Sequence, residues 1–567
     1  MSSESDHTFS AGPLATWPMS QCRLRWKLRQ FCQSLVLPSV AFLASCNLAD
    51  ARLAQAMRPP MGWRSWNALL ANISQNKILA QAHALLAKGP NGGQSLFELG
   101  YATVGVDDGW YACGQGVNGS FHNITGSPIP DYKKFPNVGG LAKDIHRLGL
   151  KLGWYFNGCS CQQEELSAWL TQGGCPVKDV EFLVANKIDA VKIDGCGPAH
   201  NMSLWSELIK AAPRLIEVEN CANNGPFHWH TSLNEHPGWV PATPGDVVNA
   251  GFSMYRVSTG IAPQFYSAMH NLQFLVPFLS ANRPLSRPGA WAHPDMLQVA
   301  NRNPIGNGTM STVEWQTHFA AWCVTSSPLI LGFDLTDEQA YSAAYPIISN
   351  PRAIDINQLW AGEPGRLVKS SKTMFWATAA KHAIDQCENG LEAMCLRTRF
   401  PIWQLWAKTL PEPYPGWQAV LLINLSPDKQ DLSFHLSDLG VSALQAEATD
   451  VWSGNKFSIN SSFGRSVEAH GHMFLLINPV RRLLNSLQLE SLEGVSRSYH
   501  WMHVSLGGSC VLIAIVSAGV LLRLQTVGHT SGSISIRQGG HGLRMESAEP
   551  LAPTMAGRFQ LTQDLQP

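Results

Sequence analysis

From residue 55 to residue 365, short apolar runs alternate with longer stretches whose apolar residues recur at helical spacing. Repetition of strand and helix along a chain is typical of a parallel sheet, in which each helix crosses back over the sheet. We therefore predict a (β/α)8 barrel for residues 55–365. The clearest strand candidates are YATVGV (101–106), LKLGWY (150–155), DAVKI (189–193), LIEV (215–218) and SMYRV (253–257), with helical stretches at 78–88, 138–148, 178–186 and 203–212.

Residues 366–480 show a different pattern, in which short alternating runs are separated by Pro, Gly and Asp. Alternation of apolar and polar residues with a period of two predicts strands, so we expect an antiparallel C-terminal β-sandwich. Two folded domains agree with the length of 567 residues, which is too long for one compact core.

Two apolar segments outside these domains predict the topology of the chain. Residues 31–45 follow four basic residues, so 1–54 is interpreted as a signal region, with an uncleaved anchor or an early start codon as alternatives. Residues 504–522 carry no charge and are long enough for one transmembrane helix, with a buried core helix as the alternative. Residues 481–503 are expected to be a linker, and the polar tail 523–567 is predicted to be disordered.

The residues between the two apolar segments have the composition of a luminal or extracellular domain. They contain seven glycosylation sequons, at Asn72, Asn118, Asn123, Asn201, Asn307, Asn424 and Asn460. They also contain nine cysteines, an odd number that leaves at least one outside any intramolecular disulfide. We therefore predict a single-pass membrane protein of the secretory pathway.

The charge balance excludes one class of partner. Because 41 basic residues balance 41 acidic ones, no overall field attracts nucleic acid, and no nucleic-acid partner is expected. Cys159 and Cys161 have no His-rich partner motif at ligand spacing, so no metal and no cofactor are expected either.

Polar side chains follow the predicted strands at the end where barrel enzymes place their working residues. Lys192 and Asp194 are two residues apart on a strand and point to the same side, where the Lys would keep a nucleophilic carboxylate ionised. A structural ion pair at the barrel mouth explains them equally well. Asp107 and Asp108 suit bidentate binding of vicinal sugar hydroxyls, with a turn of the Asx type as the alternative.

Seven motifs within residues 59–360 can be compared with those of known protein families. They are PPMGWRSWN (59–67), VGVDDGW (104–110), KKFPNVGGLAKDIHRLGLKLGWY (133–155), AVKIDGCG (190–197), PGAWAHPDML (288–297), THFAAWCVTSSPLILGFDL (317–335) and ISNPRAIDINQ (348–358). In these motifs and their order, the chain resembles the melibiase-type glycoside hydrolases, the α-galactosidases and α-N-acetylgalactosaminidases. The match covers roughly residues 59–360 and extends more faintly to about 478.

The resemblance implies a retaining mechanism in which Asp194 is the nucleophile. It also implies a set of substrate-binding residues: Lys192 beside the nucleophile, Asp107 and Asp108 as a clamp on the galactose hydroxyls, Trp66 as a pocket wall, Tyr155 below the ring, and Arg256 and Asp295 in the pocket. Glu219 and Asn220, in the loop that sets specificity, are candidates for contacting the axial side of the sugar. Cys196 resembles the disulfide partner of a cysteine in the preceding loop, Cys161 or Cys159.

One position departs from the family pattern. The acid/base carboxylate is expected at position 260, which here is Gly260, although Arg256 four residues earlier is retained. His293 also replaces an Asp two residues before Asp295. Glu219, Glu217 and His293 are candidates for a substitute proton donor, and an error in the sequence is a further explanation.

Three functional hypotheses follow. The first is an exo-acting α-galactosidase that cleaves terminal α-linked galactose or N-acetylgalactosamine from oligosaccharides, glycoproteins or glycolipids. The second is a catalytically impaired sugar-binding membrane protein on the same scaffold, because Gly260 has no side chain to donate a proton. The third is a purely structural barrel. The expected partners are an α-galactosidic carbohydrate, the membrane that holds residues 504–522, and a second copy of the chain in a homodimer.

Overall fold

A computed structural model describes residues 57–158, 161, 174–195, 201–221, 250–280, 283–302, 310–380, 395–442 and 445–479, together with five strands beyond residue 499. The chain divides into two compact units, Met1–Val480 and Arg481–Pro567, which are described separately. The predicted signal region 1–54 lies outside the described residues.

Eight parallel strands form the sheet at the centre of the first unit. Each of the first seven strands pairs with its neighbour in the chain, and the eighth pairs with the first. Beyond the seventh strand, Leu297 N donates to Ile330 O (2.7 Å) and Gly332 N donates to Leu297 O (3.1 Å), which joins the two outer edges. The predicted parallel barrel architecture is therefore confirmed. The strands are Met61–Arg64 (β1), Thr103–Gly105 (β2), Lys151–Phe156 (β3), Ala190–Asp194 (β4), Glu217–Cys221 (β5), Met254–Arg256 (β6), Trp291–His293 (β7) and Leu329–Leu331 (β8).

Helices follow most of these strands, and their sequences explain where they begin. Ser311 and Glu314 form a capping box at the start of one helix, and Asn137 caps another by accepting from Gly140 N. The helix after Asn137 buries Val138, Leu141, Ala142 and Ile145, which recur at helical spacing. The helices are Ser65–Leu69 (α1), Gln75–Leu86 (α2), Val138–Arg147 (α3), Gly174–Ala185 (α4), Met202–Lys210 (α5), Phe265–Leu275 (α6), Thr312–Val324 (α7), Glu338–Ile348 (α8) and Pro351–Gln358 (α9).

The remaining strands of the first unit form antiparallel sheets. Six of them form one sheet in the order β16-β15-β18-β13-β12-β9, and β10–β11 and β14–β17 form two-stranded sheets. In β13, Leu421 and Ile423 pack with the barrel core, whereas Val420 and Leu422 pack against β14 and its neighbours. This sheet is therefore buried on both faces. The strands are Arg366–Ser370 (β9), Met374–Ala380 (β10), Cys395–Pro401 (β11), Trp403–Thr409 (β12), Gln418–Asn424 (β13), Gln430–His435 (β14), Ala446–Asp450 (β15), Lys456–Ile459 (β16), Ser462–Val467 (β17) and His472–Pro479 (β18).

The second unit contains strands in segments for which the sequence predicted other structures. A sheet of three antiparallel strands and a two-stranded sheet occupy parts of the predicted transmembrane helix 504–522 and of the predicted disordered tail 523–567. Val511, Ile513 and Ile515 are β-branched, and such residues favour extended backbone. No helix in the described part of the chain is both long and apolar enough to span a bilayer. The strands are His500–Leu506 (β19), Ser509–Ile515 (β20), Leu524–Val527 (β21), Ser535–Gly539 (β22) and Gly542–Glu546 (β23).

One predicted glycosylation site is inaccessible in the fold. Asn424 is 0% exposed, and its Nδ2 donates to the carbonyl oxygens of Asp428, Val467 and Glu468. A folded chain cannot present this amide to a glycosyltransferase, so Asn424 is a structural residue. Asn72 and Asn460, by contrast, are exposed.

Candidate active site

A pocket of about 120 Å³ lies at the carboxyl ends of the barrel strands. Eight of the predicted site residues line it, together with Gly260, whereas Glu219 and Asn220 do not. The eight residues are Trp66, Asp107, Asp108, Tyr155, Lys192, Asp194, Arg256 and Asp295.

One side of the pocket, which we call the nucleophile wall, consists of Asp107, Tyr155, Lys192 and Asp194. Tyr155 OH donates to Asp194 Oδ2 (2.7 Å), and Gly195 N donates to Asp194 Oδ1 (2.9 Å). Burial raises the pKa of Tyr155 well above its usual value, so the phenol stays neutral and remains a donor. The two hydrogen bonds fix the orientation of a carboxylate that faces the pocket.

Lys192 pairs with the other carboxylate of this wall, Asp107. Its Nζ lies 2.9 Å from Asp107 Oδ2 and 5.1 Å from the centre of the Tyr155 ring. Burial opposes the charge on Lys192, but Asp107 and the other negative groups nearby, among them Asp194, together outweigh it, so the pKa of Lys192 is raised. Lys192 is therefore a permanent cation beside the carboxylate of Asp194.

Asp108 extends the polar surface towards the mouth of the pocket. Tyr111 OH donates to Asp108 Oδ1, and Asn157 Nδ2 donates to the hydroxyls of both Tyr111 (3.2 Å) and Tyr155 (3.3 Å). Burial raises the pKa of Asp108. The half-buried Trp66, in α1, provides the apolar face beside this carboxylate.

The opposite side, which we call the acid wall, consists of Arg256, Gly260 and Asp295. Arg256 Nη1 donates to Asp295 Oδ2 (3.0 Å), and the same oxygen accepts from Ile261 N (2.9 Å). Burial opposes the charge on Asp295, but Arg256, the other positive groups nearby and the hydrogen bond from Met296 N together outweigh it and lower the pKa of this carboxyl. Gly260 lies in the loop after β6 and contributes no side chain to this wall.

The candidate substitute acids lie elsewhere. Glu219 forms an ion pair with Arg64 in the barrel interior. Burial opposes the charge on Glu219, but Arg64 and the other positive groups nearby together outweigh it and lower the pKa of Glu219 to about 2. Glu217 pairs with Lys151 at the amino end of β5 (2.8 Å), away from the pocket. His293 is fully buried, and burial lowers its pKa to about 4. None of the three lines the pocket.

Asn220 is also outside the pocket because of strand geometry. It is paired in register with Ile193, whereas Glu219 is paired with Lys192 and Cys221 with Asp194. Successive side chains of a strand point to opposite faces, so Asn220 faces the surrounding helices rather than the barrel interior. It is 1% exposed there.

One of the two predicted disulfide pairings, Cys161 with Cys196, is wrong. Cys161 is bonded to Cys113, with a Cα–Cα distance of 5.0 Å. Cys113 follows β2 and Cys161 follows the adjacent strand β3, so the loops from two neighbouring strands bring these thiols together. Cys159 and Cys196 lie outside the described residues, so the alternative pairing between them stays a prediction.

Two residues that hold the pocket in place escaped the sequence reasoning. Arg64 ends β1, where it pairs with Glu219 and lies 3.7 Å from Asp107. Tyr111 holds Asp108. Arg64 is the last residue of β1, so the convergence of side chains at strand ends identifies it as a site candidate once β1 is known. Tyr111 stands three residues after Asp108, and this closeness in sequence is the only signal that points to it. In the described part of the chain, no group of three His, Cys, Asp or Glu side chains is arranged to hold a metal ion.

Comparisons with known proteins match most of the first unit. The family model described as Alpha galactosidase A, a melibiase model, matches residues 58–359, which is more than half of the chain. An alpha-galactosidase of Oryza sativa subsp. japonica is 26% identical over 428 residues, 74% of this chain and 85% of that protein. An alpha-N-acetylgalactosaminidase of Rattus norvegicus is 30% identical over 333 residues, 56% of this chain and 72% of that protein.

The fold agrees with solved structures as well. The crystal structure of alpha-galactosidase I from Mortierella vinacea aligns with a TM-score of 0.54 and 20% identity, over 74% of this chain and 97% of that one. The structure of the Saccharomyces cerevisiae alpha-galactosidase aligns with a TM-score of 0.55 and 19% identity, over 75% and 98%. At these identities the likeness concerns the fold.

Proposed function

Since this chain belongs to the melibiase family of glycoside hydrolases, we propose that it is a retaining exo-glycosidase that removes terminal α-linked galactose or N-acetylgalactosamine. The substrates would be oligosaccharides, glycoproteins or glycolipids. The observation that carries the proposal is the carboxylate of Asp194, which faces the pocket and is oriented by Tyr155 and Gly195. The family membership confirms the resemblance predicted from the sequence motifs.

In the first half of the reaction, Asp194 attacks the anomeric carbon and forms a glycosyl ester as the bond to the leaving oxygen breaks. Asp107 and Asp108 accept hydrogen bonds from the sugar hydroxyls, and Lys192 donates one. Trp66 covers an apolar C–H face of the ring. In the second half, water attacks the same carbon from the opposite face, so two inversions give net retention.

The mechanism has no evident general acid to protonate the leaving oxygen among the residues that line the pocket. Gly260 has no proton to give, and Asp295 is held as a carboxylate by Arg256 and Ile261 N. A positioned general acid contributes about 10²- to 10⁴-fold to the rate, and most when the leaving group is poor. We therefore infer that this enzyme favours glycosides whose leaving group departs without protonation.

The second candidate function is a sugar-binding protein without turnover. It is favoured by the same Gly260, because most of the residues that would bind galactose, among them Asp107, Asp108 and Lys192, lie outside the acid wall. A second cleft, lined by Trp66, Asp108, Tyr132 and Lys134 among others, adjoins the pocket through Trp66 and Asp108. It offers space for the rest of a glycan in either case.

The proposal includes a location in the secretory pathway, with the catalytic domain in the lumen or outside the cell. The exposed sequons at Asn72 and Asn460 and the Cys113–Cys161 disulfide support an oxidising, glycosylating compartment. Attachment to a membrane rests on the apolar composition of residues 504–522. The proposal also includes a homodimer, which a measurement of the molecular mass in solution would test.

The experiment is hydrolysis of aryl α-galactosides and aryl α-N-acetylgalactosaminides by the full chain, beside an Asp194→Asn variant. An activated aryl leaving group needs little protonation, so it reports on the nucleophile even without a general acid. Turnover that is lost in Asp194→Asn and retained in the exposed control Asp431→Asn supports a glycosidase. Galactose binding without any turnover contradicts it and supports the second candidate.

A further inference from the structure

The hairpin of β10 and β11 has two faces of opposite character. The strands pair in register along their whole length, so alternate side chains share a face. On the inner face, Phe375 and Phe400 contact Tyr266 of α6, with ring centroids 6.0 Å and 5.3 Å away. The outer face is exposed, and we call it the arginine–tryptophan face. It consists of Met374, Trp376, Thr378, Arg397 and Arg399.

The two apolar side chains of this face are open to water. Trp376 is 55% exposed and Met374 is 38% exposed, although both are large. They stand two residues apart on one strand, so they are neighbours on the same face. Removing apolar surface from water is favourable, so a partner that covers the indole and the thioether together gains from both.

The same face carries two cations without acidic partners. The Cζ atoms of Arg397 and Arg399 lie 5.0 Å and 5.8 Å from the centre of the Trp376 ring, and Arg399 is directly opposite Trp376 in register. Within the described part of the chain, neither guanidinium forms an ion pair with a carboxylate. No residue of the face is acidic. The face is therefore complementary to a negatively charged partner.

The size of the face limits what that partner is. From Met374 to Thr378 it extends about 13 Å, and it is only two strands wide. A specific protein–protein interface buries about 800 Å² on each partner, which is more than this face provides. An acidic polysaccharide would use the guanidinium groups but has no apolar part for Met374. The surface of a bilayer offers both anionic groups and an apolar layer beneath them.

The hairpin is also held close to the pocket. Ala380 N donates to Gln264 Oε1 (2.8 Å), and Gln264 stands four residues after Gly260, which lines the pocket. Trp376 is four residues from Ala380, a distance of about 13 Å along the strand. A surface that binds the arginine–tryptophan face would thus also hold the pocket close to it.

We propose that the arginine–tryptophan face docks on membranes that contain anionic phospholipids. Arg397 and Arg399 donate hydrogen bonds to the phosphate and carboxylate groups of the lipids. Trp376 lies at the level of the head groups, the position that Trp prefers in membranes, and Met374 covers apolar surface beside it. Docking requires no turnover, so this inference is independent of the proposed glycosidase function.

The test is hydroxyl-radical footprinting of the full chain, read by mass spectrometry. The chain is mixed with vesicles of phosphatidylcholine alone or of phosphatidylcholine with phosphatidylserine. We expect the phosphatidylserine vesicles to lower the oxidation of Trp376 and Met374 several-fold, and the neutral vesicles to leave it unchanged. Met57, which is 48% exposed and precedes β1, is the internal reference and should be oxidised equally in all samples. The readout is local, so it does not depend on whether residues 504–522 also bind the membrane.

A matched pair of variants tests the charges. One Arg close to an anionic bilayer contributes about 5-fold to binding, so Arg397→Ala should raise the lipid concentration needed for half-maximal protection of Trp376 by about that factor. The control is Arg465→Ala, which removes an equally charged, exposed guanidinium that stacks on Phe457 and Phe463. It should leave the protection of Trp376 unchanged.

Four results would overturn the proposal. Equal protection by neutral vesicles would mean that the charges are not involved. Protection by soluble heparin but not by any vesicle would identify a site for acidic polysaccharides instead. An equal shift in Arg465→Ala would indicate a general attraction of the whole surface. Full oxidation of Trp376 and Met374 in every sample of the native chain would show that the face does not dock, whether or not the variants fold.

Discussion

The nucleophile wall and the acid wall of the pocket differ in how completely their polar groups are paired. On the nucleophile wall, Asp194 accepts two hydrogen bonds and Asp107 is paired with Lys192. On the acid wall, Arg256 has a buried Nε with no hydrogen-bond partner among the described residues, and residue 260 has no side chain. The buried ion pairs of the nucleophile wall are expensive to break, because an unpaired buried charge is left behind. The barrel sheet, by contrast, forms without any side chain at position 260.

The largest expected effect comes from restoring the missing carboxylate. Gly260 is not among the residues with positive φ, so its backbone conformation does not by itself require glycine. In Gly260→Asp we expect hydrolysis of methyl α-galactoside, whose leaving group needs a proton, to rise by about 10²- to 10⁴-fold. Hydrolysis of 2,4-dinitrophenyl α-galactoside, whose leaving group departs without a proton, should change far less at the bond-breaking step.

The measurement is kcat/KM for both substrates. The control is Gly260→Asn, which has a side chain of equal size but no acidic proton. An equal rise in kcat/KM in Gly260→Asn and Gly260→Asp would show that the gain does not come from a proton donor at position 260.

The second prediction tests whether the nucleophile wall also stabilises the fold. In Lys192→Met, Asp107 loses its 2.9 Å partner at a site where both side chains are almost completely buried. Removing one partner of a buried pair costs about 3–5 kcal/mol, and we expect the lower end because Arg64 Nε remains 3.7 Å from Asp107. Urea denaturation of the full chain measures the change in the free energy of unfolding of its first unit. The control is Lys151→Met, which breaks a partly exposed pair with Glu217 and should cost about 1 kcal/mol or less. Comparable losses in both variants would contradict the structural role of the buried pair.

The third prediction concerns pH and the region behind the acid wall. Burial lowers the pKa of His293 to about 4, and neither ring nitrogen has a hydrogen-bond partner among the described residues. The unfolded chain takes up this proton near pH 6.5, so the free energy of unfolding should fall as pH drops from about 6.5 to about 4, by a few kcal/mol from this group. His293→Gln should flatten the pH dependence in this range, whereas the exposed His83→Gln should leave its slope unchanged. Denaturation curves recorded between pH 4 and pH 7 measure the slopes. An unchanged slope in His293→Gln would mean that this ring is protonated in the folded protein.

The same contrast explains what the sequence could and could not predict. Asp107, Lys192 and Asp194 were predictable because side chains at the ends of parallel strands converge. The strands β1, β7 and β8, of three or four residues each, were not predicted, whereas the equally short β2 and β6 lie within the longer predicted runs 101–106 and 253–257. Glu219 does point into the barrel, as the sequence predicted for a site residue. It is paired in register with Lys192, however, so it lies two residues further from the carboxyl end of the strand than Cys221. Its carboxylate binds Arg64 instead of facing the pocket.

The errors elsewhere come from information that a single sequence does not contain. The pairing of Cys161 with Cys113 depends on the paths of two loops, which spacing along the chain does not reveal. The burial of the Asn424 sequon depends on contacts with residues more than 40 positions away. In both cases local patterns were read correctly, and tertiary structure decided the outcome.

The smallest expected effect separates orientation of the nucleophile from binding of the sugar. Tyr155 and Tyr111 each donate a hydroxyl hydrogen bond to a pocket carboxylate, Tyr155 to Asp194 and Tyr111 to Asp108. A hydrogen bond to a charged group contributes about 1.5–3 kcal/mol, and Asp194 keeps its second bond from Gly195 N, so the loss should lie near the lower limit. In Tyr155→Phe we therefore expect kcat for the aryl galactoside to fall about 10-fold with little change in KM, because the nucleophile is less well oriented in the transition state. In Tyr111→Phe the carboxylate that binds the sugar is affected instead, so KM should rise about as much while kcat is retained. A rise in KM with unchanged kcat in both variants would show that Asp194 serves mainly to bind the sugar. Neither wall of the pocket would then supply a group that acts in the chemical step.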